Sequence, residues 1–122
     1  MSRHPMAYTA LSVKQPFANW IRDGRKTIET RTWSTAYRGD LLIVSSRRPS
    51  ISPAGYAVAL VNLVDCRPMV AGDWQAACCD PYPGAYGWFL ENIRPLVEPF
   101  EVRGTLGLYQ ISAPSALKLR TR

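Results

Sequence analysis

The feature that most limits how this chain can fold is the run Tyr56-Ala57-Val58-Ala59-Leu60-Val61-Asn62-Leu63-Val64, its longest apolar stretch. A segment apolar at both strand parities cannot keep one face in water, so it reads as a central strand or a bent pair. Such a strand needs neighbours. Leu41-Leu42-Ile43-Val44 is equally continuous and reads as a strand buried on both sides. Tyr8–Val13 alternates, with Leu11 and Val13 facing a core, and Thr27–Trp33 is rich in β-branched residues. Tyr86–Ile93 reads as an aromatic-rich strand, Pro95 and Pro99 bracket an extended connection, and Leu106–Ile111 closes the set.

Helical signals are few. Pro16 suits the first turn of a helix, because its missing N–H has no partner there anyway. Phe17, Trp20 and Ile21 follow at i, i+3 and i+4, and Gly24 is a natural left-handed stop. A second short helix is expected within Gly72–Cys79. Ser34–Asp40, Pro49–Gly55 and Asp80–Gly84 read as loops, and no internal repeat is found. Many short strands with 10 Pro and 8 Gly between them imply an α+β, mainly β chain. The expectation is a small β-barrel plugged by two or three short helices.

The chain has 122 residues, enough for one domain with one core. No apolar run reaches the roughly 18 residues a membrane-spanning helix needs, and Met1–Pro5 is not followed by a hydrophobic signal-peptide core. A cytoplasmic location is therefore expected, without membrane attachment. Three cysteines, no CxxC pair and a single histidine, His4, leave structural zinc and Cys–His catalysis short of parts. No metal or cofactor is expected. Net charge is +6 and unevenly spread. Residues 1–50 carry nine Lys/Arg against three Asp/Glu, residues 51–116 three against six, and the last six residues add three cations. This favours an anionic partner, RNA or a nucleotide first and DNA second, although basic charge also serves plain solubility.

Chemistry concentrates in Gly24-Arg25-Lys26-Thr27-Ile28-Glu29-Thr30-Arg31-Thr32-Trp33. In an ideal strand Thr27, Glu29, Arg31 and Trp33 share one face, which would look into a cleft or solvent, while Ile28 points into the core. Lys26, Arg31 and Arg38 can pair with phosphate, and Trp33 or Tyr37 can stack on a base. Glu29 would repel phosphate, so it suits reading a base edge or orienting Arg31. Equally, Glu29 and Arg31 can form a plain ion pair at a strand end, and Trp33 can cap the core. As an enzyme, the chain would rely on Lys26 and Glu29 with nearby hydroxyls such as Thr27, Thr30, Ser45 and Ser46. Lys26 and Glu29 have opposite parity, so they converge only if Lys26 sits in the turn before the strand.

Gly24-x-Lys26-x-x-Glu29-x-Arg31 resembles the GxKxxExR signature of the ASCH domain, the activating-signal-cointegrator homology module of the PUA-like superfamily. Leu11–Ala18 is similar to the family's opening strand and Gln-Pro helix start. Arg31–Gly39 with Leu41-Leu42-Ile43 resembles the RSW-x-T-x-YRG-x-L-x-I run of the coactivator-type branch. Trp88–Asn92, Pro99–Gly104 and Gly107–Tyr109 resemble its closing strands. The resemblance spans residues 8–112, leaving a flexible arm at 1–7 and a basic tail at 113–122.

It implies a PUA-like barrel with a ligand cleft, and recognition of RNA or a nucleotide by Gln15, Lys26, Glu29, Arg31, Trp33, Tyr37, Arg38 and Ser46. Some small bacterial members resemble amidohydrolases of 4-acetylcytidine, which use a Lys, a Thr three residues later and a distant Glu. Lys26 matches, but Glu29 stands in the threonine's place. Other members resemble ribonucleases. A protein partner held by the aromatic loop 80–89 is a third reading.

Overall fold

In the computed structural model, which describes residues 6–113 and 116–120, the long apolar run is a single strand at the centre of a sheet. This strand, β4 (Tyr56–Pro68), lies between β3 (Gly39–Ser45) and β5 (Tyr86–Glu101) and is antiparallel to both. β1 (Met6–Val13) runs parallel to β3, and β6 (Leu108–Ala113) pairs antiparallel with β1. β2 (Ile28–Arg31) forms the far edge, antiparallel to β5, giving the order β2-β5-β4-β3-β1-β6. Helix α1 (Phe17–Arg22) links β1 to β2, while a 3₁₀ turn (Ala71–Asp73) and helix α2 (Trp74–Ala77) precede β5.

The two-sided apolar runs are explained by cores on both faces. Leu41 and Ile43 join Leu11, Val61 and Trp88 in one cluster, which α1 covers with Ala18 and Ile21. Leu42 and Val44 join Ala57, Leu60 and Leu96 in the other, with Leu117 and Leu119 packed against it. Since each residue of β3 from Leu41 to Val44 meets one core or the other, the strand has no use for a polar position there. Among the described residues, no helix is long and apolar enough to cross a membrane.

The expected closed barrel does not form. Among the described residues β2 and β6 remain edges of one open sheet. Three register shifts between β4 and β5, and one between β3 and β4, bend the sheet. The remaining gap is bridged by a side chain: Arg31 Nη2 on β2 donates to the Ser12 carbonyl on β1 at 2.7 Å. Two other elements differ from expectation. Pro95 and Pro99 lie inside β5, beyond the Tyr86–Phe89 segment that pairs with β2, where a missing N–H costs that ladder nothing. Ile28 is buried as expected, but on the face opposite the Trp88 core, near Met69 and Phe89 over Gly87.

Residues 1–5 of the expected N-terminal arm lie outside the described residues, and β1 already begins at Met6. In the C-terminal segment Leu119 bridges to Leu96, Lys118 accepts from Val97 N–H at 2.8 Å through its carbonyl, and Arg120 N–H donates to the Pro95 carbonyl at 2.8 Å.

Candidate functional site

The gap in the sheet is a cavity. It has a volume of about 640 Å³, bounded by β2, the end of β1, the start of α1 and the loops around Asp80 and Leu106. Lys26, Glu29 and Arg31 line it together with Phe17, Trp33 and Tyr82. A pocket of this size, with aromatic walls and a few convergent polar groups, is the usual form of a small-ligand site.

Local structure explains how Lys26 and Glu29 meet. Helix α1 ends at Arg22, Gly24 adopts φ +82°, and the N–H groups of Arg25 and Lys26 both donate to the Trp20 carbonyl. Lys26 thus sits in the turn before β2, which removes the parity problem. Its side chain is 1% exposed and its Nζ lies 3.5 Å from Glu29 Oε1. The amine also donates to the Ala77 carbonyl and sits 5.0 Å from the centre of the Phe17 ring. Ala77 is the last residue of α2, where helical carbonyls lack an intrahelical partner.

The other carboxylate oxygen belongs to Arg31. Its Nε and Nη2 donate to Glu29 Oε2 at 3.2 and 3.0 Å, while Nη2 also reaches the Ser12 carbonyl. Glu29 therefore bridges two cations within a largely buried network. Trp33 is 37% exposed, packs edge-on against the fully buried Trp88 at 4.8 Å, and accepts a 3.3 Å hydrogen bond from Trp88 Nε1 at its carbonyl. The indole is both anchored to the core and open to the cavity.

Five expected site residues line the cavity: Lys26, Glu29, Arg31, Trp33 and Ser46. Gln15, Tyr37 and Arg38 do not. Gln15 is buried, donating to Asn19 Oδ1 and Ser45 Oγ at 2.9 Å each and accepting from Asn19 N–H at 3.0 Å. Tyr37 packs on the core and donates to the Asp40 carbonyl, while Arg38 holds the Thr35 and Tyr37 carbonyls and lies 3.7 Å from Asp65. Lys14, Cys79, Asp80, Tyr82 and the segment Thr105–Gly107 also line the cavity. Lys14 and Gly107 fall within segments that resemble the family's, but those matches do not single them out as site residues. Tyr82 stands in a loop recognisable by composition, but nothing local ties that loop to β2. All three cysteines are free thiols, and among the described residues no group of three or more His, Cys, Asp or Glu could hold a metal.

Residues 11–100 match the ASCH domain family profile. The chain belongs to that family. ASCH from Zymomonas mobilis superposes with a TM-score of 0.62, covering 78% of this chain and 73% of its own, at 19% identity. A tyrosine-to-phenylalanine variant of that protein gives 0.63 over 78% and 76% at 16% identity. At these identities the likeness is one of fold, and it shows that the ASCH architecture is present here. No curated protein matches the chain.

Proposed function

We propose that this ASCH domain binds RNA or a nucleotide in the cavity between β1 and β2, as a member of the coactivator-type branch. The observation that carries this reading is the buried Lys26–Glu29–Arg31 network in the wall of an aromatic-lined cavity. Buried ion pairs do not generally out-stabilise apolar packing, so their place at a cavity wall speaks for a ligand. The lining holds three cations, Lys14, Lys26 and Arg31, against two carboxylates, Glu29 and Asp80, leaving it mildly basic. Trp33 and Tyr82 offer rings on which a base can stack, worth about 1–3 kcal/mol per base. ASCH domains are generally linked to RNA binding, which agrees with this chemistry.

The test is a titration of labelled single-stranded RNA at several salt concentrations. Affinity should fall linearly on a log–log salt plot, and Lys14→Ala should make the slope shallower by about 0.7 if Lys14 neutralises one phosphate. Binding indifferent to salt, with Lys14→Ala unchanged, would remove the cavity from consideration.

A second reading, hydrolysis of an acylated cytidine or of RNA, is favoured by one contact. Lys26 Nζ and Glu29 Oε1, 3.5 Å apart, are the acid–base pair such an activity would use, with Thr30 and Ser46 also in the lining. Incubation with 4-acetylcytidine and with RNA separates the readings, because only an enzyme forms product.

A further inference from the structure

The two cations of the signature are not equivalent. Lys26 is 1% exposed, and its amine is occupied by the Ala77 carbonyl, Glu29 and the Phe17 ring. Arg31 is 23% exposed at its side chain. A guanidinium has five N–H donors. Nε uses one on Glu29, and Nη2 uses two, on Glu29 and the Ser12 carbonyl. The two N–H groups of Nη1 meet no acceptor among the described residues, and Arg31 lines the cavity. Glu29 is nearly closed off, with its side chain 7% exposed between the two cations.

We propose that Arg31, through Nη1, is the cation that touches the ligand, and that Lys26 is a buried counter-charge for Glu29. This rests on the nucleic-acid reading above and assigns the contact within it. The ligand group is an acceptor oxygen, either a ring carbonyl of a base or a phosphate oxygen. The guanidinium is held on one side by Glu29 and on the other by β1, so it meets the ligand with its orientation already set, which limits the ordering cost of binding. Glu29 orients Arg31 rather than reading a base amine, since both of its oxygens already face cations.

The experiment compares wild type, Arg31→Lys and Lys26→Met by calorimetric titration, well below each protein's melting transition. The probes are a single-stranded RNA, the four ribonucleosides, their 5′-monophosphates and inorganic phosphate. Arg31→Lys keeps the charge but loses the fork, and should weaken RNA binding about tenfold to a hundredfold, the usual worth of a hydrogen bond to a charged group. Lys26→Met should lower the melting temperature while changing RNA affinity less than Arg31→Lys does. If Lys26→Met fails to fold, the Arg31→Lys comparison decides alone. A loss seen with nucleosides assigns the contact to a base carbonyl; a loss confined to monophosphates and phosphate assigns it to phosphate. RNA binding that survives Arg31→Lys at full strength overturns this proposal and leaves the nucleic-acid reading standing. No binding of any probe by wild type overturns both.

Discussion

Glu29 is the residue on which the buried network depends. Remove its charge and Lys26 is left almost fully enclosed with one neutral carbonyl and a ring, while Arg31 loses its ion-pair partner and keeps at most a neutral amide oxygen as acceptor. Breaking a buried pair is far more costly than never having built one, because the remaining charge stays desolvated. Glu29→Gln is therefore expected to destabilise the fold by about 3–5 kcal/mol, read from chemical-denaturant midpoints at unchanged slope. A loss under about 1 kcal/mol, the range of an exposed pair, would mean that water reaches Lys26 and that the network is effectively at the surface. Much of this site is legible at the residue scale. The spacing Lys26, Glu29, Arg31, Trp33 puts chemistry in one short segment, and all four meet in the cavity. Gln15, Tyr37 and Arg38 are indistinguishable from ligand contacts in sequence because their partners are largely backbone carbonyls or neighbouring polar side chains, which leave no pattern in residue types.

At the scale of elements, the turn between α1 and β2 decides whether Lys26 can reach Glu29 at all. Gly24, at φ +82°, reverses the chain so that Arg25 and Lys26 both hang from the Trp20 carbonyl. An L-residue with a Cβ pays about 1–2 kcal/mol in that region, whatever space surrounds it. Gly24→Ala should accordingly lower thermal stability by about that amount, and Gly24→Asn by less, since asparagine tolerates the left-handed region better. Equal melting temperatures for all three proteins would contradict this account of the turn. The glycine stop is readable because a glycine shortly after an apolar i, i+3, i+4 stripe, here three residues beyond Ile21, is a very common way for a short helix to end. β5 is not, because proline normally ends a strand, and only the sheet order reveals that the ladder with β2 has already finished before Pro95. The face on which Ile28 lies is hidden for a similar reason: strand parity separates two faces but does not say which one carries the larger core.

Across the whole molecule, the two cores divide the labour. The cluster under α1, holding Trp88, supports the cavity through the edge contact of Trp88 with Trp33. The cluster on the other side of the sheet is completed by the C-terminal segment, where Leu117 and Leu119 pack and Leu119 pairs with Leu96 on β5. A closed barrel would have merged these roles by surrounding one interior. An open, bent sheet keeps them apart and leaves a gap, the cavity lined by Lys26, Glu29 and Arg31. The separation is measurable. Leu119→Ala removes apolar contact from the second cluster only, and Leu119 is half-buried, so the expected loss is about 1–2 kcal/mol, below the range for a fully enclosed leucine. Because Leu119 shares no contact with the Lys26 cavity, its effect should add to that of Glu29→Gln in the double variant to within about 0.5 kcal/mol. RNA affinity of Leu119→Ala should equal that of wild type. A coupling energy well beyond that margin, or weakened RNA binding at intact fold, would show that the two sides of the sheet act as one unit and that the C-terminal segment helps to shape the site.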